Sequence, residues 1–149
     1  MDTKVATELM RLLGGMRRVV RRRLAGSRPH RLPAAQVDLL IAVEEEPGIG
    51  IAAAARVLHL ADNSVSGLVN VLVDAGLLAR ETDPADRRAA RLFLTPDACE
   101  RLTEWRAARA ELVGRALERL DEADREAIEA ALPVLRRLLD EMRQEEGSA

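Results

Sequence analysis

Residues 62–95 read DNSVSGLVNVLVDAGLLARETDPADRRAARLFLT, and this stretch decides the fold. Val65, Leu68, Val69 and Leu72 recur at the three- and four-residue spacing of one helix face, while Asn63, Gly67, Asn70 and Asp74 fall opposite, with Ser66 and Val71 on the flanks. Asp62 is placed to cap that helix through its carboxylate, and Gly76 to stop it. Leu77–Glu81 and Arg91–Thr95 then alternate as short strands, joined by a loop whose turn formers are Asp83, Pro84 and Asp86. This predicts a two-stranded hairpin with Leu92 and Leu94 on one side and Arg91 and Phe93 on the other. Thr95, Pro96 and Asp97 form a cap, a first-turn proline and an acid at a positive helix end, so another helix starts at once.

Upstream, Val5, Leu9, Leu12, Met16, Val19, Val20 and Leu24 stripe a long first helix over Thr3–Ala25, with a bend or close contact expected at Gly14 and Gly15. Pro29 and Pro33 break the pattern, and Pro33 suits the first turn of a second helix that carries Val37, Leu40 and Ile41 and ends at Pro47 and Gly48. A short Ala-rich helix follows over Ile51–Leu58, with a turn from His59 to Asp62. Downstream, Ala98, Leu102, Trp105, Leu112, Ala116 and Leu120 mark a fifth helix, and Asp121 or Asp124 opens a sixth. Ile128, Leu132, Leu135, Leu138, Leu139 and Met142 stripe that last helix; Pro133 inside it predicts a kink near Glu129–Leu132, and Gln144–Ala149 is expected to fray.

The fold class expected is therefore mainly α, a winged helix-turn-helix over residues 33–95 with a two-stranded hairpin as wing. Residues 1–32 and 96–149 form a helical dimerisation region supplied by both termini, because their apolar stripes exceed what one thin protomer can bury.

Composition narrows the function. The net charge is -2, but the charge is segregated: Arg11–Gln36 holds eight arginines and no acid, whereas Asp121–Glu146 is acidic. The arginine run reads either as a solvated face or as a surface for phosphates. Cys99 stands alone, which excludes an intramolecular disulfide, and it reads as a small buried apolar residue. His30 and His59 have no partners at ligand spacing, so no metal and no cofactor is expected. No catalytic constellation is present, no secretory leader and no apolar run long enough to span a bilayer, and the expectation is a cytoplasmic protein that is not an enzyme.

In a winged helix-turn-helix the third helix enters the major groove and the hairpin lies along the backbone. The candidate DNA-binding residues are thus Asn63, Ser64, Ser66 and Asn70 on the reading helix, and Arg87 and Arg88 at the wing tip. An asparagine amide matches the donor and acceptor of adenine, hydroxyls reach phosphates or bases, and guanidinium groups suit a narrow minor groove. Asp83 and Asp86 are expected to hold the loop by ion pairing with the arginines. Met16, Val20, Trp105 and Arg109 are candidates for an apolar ligand cleft with a basic group, although a tryptophan on a helix stripe also serves as core filling.

The run Pro33–Leu102 resembles the MarR family. The resemblance rests on Asn63-Ser64-Val65-Ser66-Gly67-Leu68-Val69, on Asp74-Ala75-Gly76-Leu77-Leu78-Ala79-Arg80, on the wing motif Asp83-Pro84-Ala85-Asp86-Arg87-Arg88, and on Leu92-Phe93-Leu94-Thr95-Pro96. It implies a homodimer that binds double-stranded DNA at a pseudo-palindromic operator, often released by a small ligand. Two positions depart from it: the family often carries a basic residue where Gly67 stands, and a serine cap and arginine where Ala61 and Asp62 stand. With no lysine or arginine on the reading helix, affinity is expected from the wing, from Arg80 or Arg91, and from the basic first helix. The alternative is a dimer of the same fold that binds a protein partner as an adaptor.

Overall fold

A computed structural model describes residues 3–27 and 31–147. Its elements are α1 (Thr3–Leu24), α2 (Ala34–Glu45), β1 (Ile49–Gly50), α3 (Ile51–Leu58), α4 (Asp62–Asp74), β2 (Leu78–Thr82), β3 (Ala90–Leu94), α5 (Pro96–Leu117) and α6 (Glu122–Gly147). Met1–Arg109 and Ala110–Ala149 form two compact units, and the division falls within α5. Arg28, Pro29 and His30 of the first loop, and Ser148 and Ala149 of the expected frayed tail, lie outside the described residues. No helix among the described residues is long and apolar enough to cross a membrane.

The core of the first unit is aliphatic. Leu39, Leu40 and Val43 of α2 are fully buried, so this helix is enclosed on more than one face. Ala54 and Ala55 of α3 are small and buried, which lets α3 lie close against α2 and α4. Val65, Val69 and Leu72 of α4 complete the packing with Leu77 and Leu92, and Ala98 and Leu102 bring in the start of α5.

The sheet has three strands rather than the two expected, in the order β1-β3-β2 and antiparallel throughout. The extra strand is only Ile49 and Gly50, paired with Leu92 and Arg91. Gly48 sets it up: its φ is +87°, its N–H donates to the Leu92 carbonyl at 2.8 Å, and a Cβ there would lie 2.6 Å from the Arg91 guanidinium. The hairpin strands are shifted by one residue from the expected ranges, with Arg80 opposite Leu92 and Glu81 opposite Arg91.

Two helix ends explain why α3 and α4 stop where they do. At the end of α4, Leu77 N–H donates to the Leu72 carbonyl at 2.8 Å and Gly76 N–H to the Val73 carbonyl at 3.0 Å, with Gly76 at φ +74°. This is a Schellman motif, closed by burial of Leu72 and Leu77 together. The end of α3 makes the same pair of bonds, Leu60 N–H to Ala55 and His59 N–H to Arg56, but its left-handed residue is His59, at φ 52°. A side chain in that conformation costs about 1–2 kcal/mol relative to glycine. His59→Gly is therefore expected to stabilise the fold by about 1 kcal/mol and Gly76→Val to destabilise it by 1–2 kcal/mol or so. The order of melting temperatures, His59→Gly above wild type above Gly76→Val, checks this.

The caps are mixed. Thr95 Oγ1 accepts from Ala98 N–H at 3.2 Å as the sequence suggests, and it also donates to the Gly76 carbonyl at 2.7 Å, tying the start of α5 to the end of α4. Asp121 caps α6 by accepting from Asp124 N–H at 2.8 Å. Asp62 does not cap α4: it is the first helical residue, Ala61 holds the cap position and makes no side-chain bond, and the turn is His59–Ala61. Helix α6 runs unbroken through Pro133 to Gly147, so Gln144–Gly147 is helical. Cys99 is exposed, contrary to expectation, because the buried line of α5 passes through Ala98 and Leu102 and Cys99 projects beside it.

Arg106 of α5 donates to both carboxylate oxygens of Glu44 on α2, through Nη1 at 3.0 Å and through Nη2. The bonds hold the Glu44 carboxyl below its usual range, against a smaller opposing push from burial. A lowered folded-state pKa means the brace contributes fully above about pH 4.3 and is lost as the pH falls through the lowered value. Both side chains are more than a third exposed, so solvent screening limits the contribution to roughly 1 kcal/mol at most. Glu44→Gln is expected to cost that much at pH 7 and nothing at strongly acid pH, by denaturant unfolding at both.

Candidate nucleic-acid interface

Helices α3 and α4 and their three-residue turn form a helix-turn-helix, and α4 presents its polar face outward. Asn63, Ser64, Gly67, Asn70 and Asp74 are exposed, and Ser66 is half-buried on the flank. Val71 is 50% exposed beside Gly67 and was not singled out from the sequence, yet an exposed valine on this face is suited to a thymine methyl. The signal for it was its offset by one position from the buried stripe.

The wing tip is held by its backbone. Asp83 Oδ1 accepts from Ala85 N–H and Asp86 Oδ1 from Arg88 N–H, each at 3.0 Å, and Asp83 N–H donates to the Ala89 carbonyl. These are Asx turns, and they replace the ion pairing expected of the two acids. Arg87 and Arg88 are exposed, and among the described residues no ion pair engages them.

The other two hairpin arginines differ from each other. Arg91 is half-buried, its guanidinium 5.5 Å from the Phe93 ring centroid and packed over Gly48. Arg80 is exposed, and its Nη2 donates to Asn70 Oδ1 at 2.8 Å, joining the wing to α4. A contact between residues ten apart, one on a strand and one on a helix, has no signature in sequence spacing.

Residues 31–89 match the MarR family. Some 95% of the chain superposes on solved regulators. With a transcriptional regulator of Thermotoga maritima the identity is 25% and the TM-score 0.76, over 95% of this chain and 98% of that one. The chain has the winged-helix fold of these regulators. The family's namesake MarR superposes at 25% identity and TM-score 0.75, covering 95% of each chain. FabT of Streptococcus pneumoniae, solved in complex with DNA, shares the fold at 16% identity and TM-score 0.68, over 95% of this chain and 99% of that one. No curated protein sequence matches at a significant level.

The first unit also holds a cleft of about 360 Å³. Arg17 and Arg21 of α1, Val37 and Asp38 of α2, and Trp105 and Arg109 of α5 line it. Arg109 lies over the Trp105 ring, 4.4 Å from its centroid. Burial, and then repulsion from Arg17, hold the Arg109 pKa below the usual arginine range. Among the described residues that line the cleft, three are arginines and one, Asp38, is a carboxylate. Of the cleft residues named from the sequence, Trp105 and Arg109 are in its wall, whereas Met16 is 56% exposed and Val20 is buried, and neither lines it. Met16 lies about a third of a turn round α1 from the line of Arg17 and Arg21. Those two arginines were visible only as part of a basic run; their i, i+4 spacing on α1 mirrors that of Trp105 and Arg109 on α5. Among the described residues no cluster of three potential metal ligands occurs.

Proposed function

We propose that this chain is a sequence-specific DNA-binding repressor that grips a pseudo-palindromic operator as a homodimer and is released by a small anionic ligand. One observation carries the reading: α4 exposes a polar face beside a wing whose Arg87 and Arg88 are exposed on a preformed loop and make no ion pair among the described residues. With α4 in the major groove, the Asn63 amide meets an adenine edge and Ser64 and Ser66 reach phosphates or bases, while the wing arginines enter the flanking minor groove. That FabT, a protein of the same fold, was solved in complex with DNA supports DNA as the partner. Residues 1–32 and 96–149 act as the dimerisation region, since α1 and α6 leave apolar stripes exposed. Two-fold pairing sets half-sites about one helical turn apart, roughly 10 base pairs. The cleft, positive and flanked by an indole, suits an anion with an apolar body as effector. A genomic target places the protein in the cytoplasm, and the role involves no catalysis.

The test is selection of bound duplexes from a random pool, followed by binding measured at 50 and 200 mM salt. An enriched inverted repeat, bound at least about tenfold more weakly at the higher salt, is expected. No enrichment and no salt dependence would overturn the proposal. That result would favour the adaptor reading, which draws on the absence of any cation on α4 and on the exposed Asp62 and Asp74 at its ends.

A further inference from the structure

We infer that Asn70 is a positioning residue, which fixes the Arg80 guanidinium for a DNA backbone phosphate instead of reading a base. The inference rests on the DNA-binding reading above and assigns a role within it. Strand parity places Arg80 on the same side of β2 as buried Leu78, the side that packs towards α4, and at the rim of the core its side chain emerges beside Asn70. There Nη2 donates to Asn70 Oδ1 at 2.8 Å. Arginine carries five donors, and among the described residues no carboxylate pairs with this one, so the full charge and most of the donors remain available.

The chemistry of the clamp matters. A neutral amide oxygen orients a guanidinium without cancelling its charge, whereas a carboxylate at the same place would do both. A bidentate contact with adenine needs Asn70 Oδ1 to accept from the base, and that oxygen here accepts from Arg80, which fixes the orientation of the amide. The pair also sits where α4 and the wing meet. With the helix in the groove and the hairpin along the backbone, the strand between them passes this point. A long, exposed arginine that is already oriented loses less conformational freedom on meeting a phosphate than a free one does.

Binding of wild type, Arg80→Ala, Asn70→Ala, the double variant and Asn70→Asp is measured on a selected operator and on a scrambled duplex across a salt series. Arg80→Ala is expected to weaken binding to both duplexes about tenfold and to reduce the salt slope by about one unit. Asn70→Ala should weaken both in the same direction, severalfold, and should change affinity by less than about twofold once Arg80 is already alanine, because residues that act as a unit are not additive. Asn70→Asp separates positioning from simple support: its carboxylate pairs with Arg80, so the melting temperature holds or rises while DNA affinity and salt slope fall to the level of Arg80→Ala. If Asn70→Ala weakens only the operator, leaves the slope unchanged and adds to Arg80→Ala, Asn70 is a base reader and the inference fails while the DNA-binding reading stands. A wild type that binds neither duplex overturns both.

Discussion

Replacing Arg87 and Arg88 together by alanine is expected to weaken binding to every duplex by about two orders of magnitude and to flatten the salt dependence by up to two units. A hydrogen bond to a charged group contributes about 1.5–3 kcal/mol, or roughly tenfold or more for each guanidinium lost. Arg88→Ala alone should show about half of this on a logarithmic scale. The fold should not change, because the Asx turn at Asp86 uses the backbone N–H of Arg88, which alanine retains. Equal losses on operator and scrambled duplex, with an unaltered melting temperature, would establish the wing as a source of affinity rather than of sequence choice. Wild-type affinity and slope in the double variant would remove the wing from the interface and shift weight to the adaptor reading.

The Leu135→Asp/Leu139→Asp variant is expected to lose the proposed dimer altogether. On α6, Ile128, Leu132, Leu135, Leu139 and Met142 fall within one stripe, and all are exposed, Leu135 at 38% and Leu139 at 47%. Five large aliphatic side chains left to water on one helix face carry a free-energy cost that a second copy removes, at about 25 cal/mol for each Å² covered. Two carboxylates in the middle of that stripe would have to be buried unpaired for the copies to meet, which is strongly disfavoured. Light scattering should give a wild-type mass of twice 16.4 kDa and a variant mass of 16.4 kDa or an aggregated sample. DNA affinity should collapse with the dimer, since two half-sites must be held at once. A wild type that scatters as a stable monomer would contradict the homodimer.

The winged helix-turn-helix was legible because its signals are local. The α4 stripe, Gly76 past its end, the turn residues of the wing and Thr95-Pro96 each act within a few positions of themselves, and each appears in the structure where the sequence puts it. What was hidden depends on partners far along the chain. The Ile49–Gly50 strand is too short for any periodicity and exists only because Leu92 and Arg91 are there to pair with it. The end of α3 carries no glycine to announce it, since His59 takes the left-handed place. The one-position slips, Asp62 for Ala61 at a cap and Met16 for Arg17 at the cleft, show how weakly the phase of a helix is fixed by its apolar residues alone. Cys99 was misplaced for the same reason: an apolar side chain next to a buried stripe is not thereby in it. The Arg80–Asn70 bond needs the strand register and the helix position together, and neither segment alone suggests it.

The chain has one tryptophan and no tyrosine, and that single indole forms a wall of the cleft beneath Arg109. Essentially all the near-ultraviolet absorbance and emission of the protein therefore comes from one ring, lying 4.4 Å from a positive charge. A cation so close to an indole shifts the energy of its excited state, so any displacement of Arg109 registers directly in the colour and yield of the emitted light. The cleft thus carries an intrinsic optical reporter, with no second fluorophore to dilute its signal.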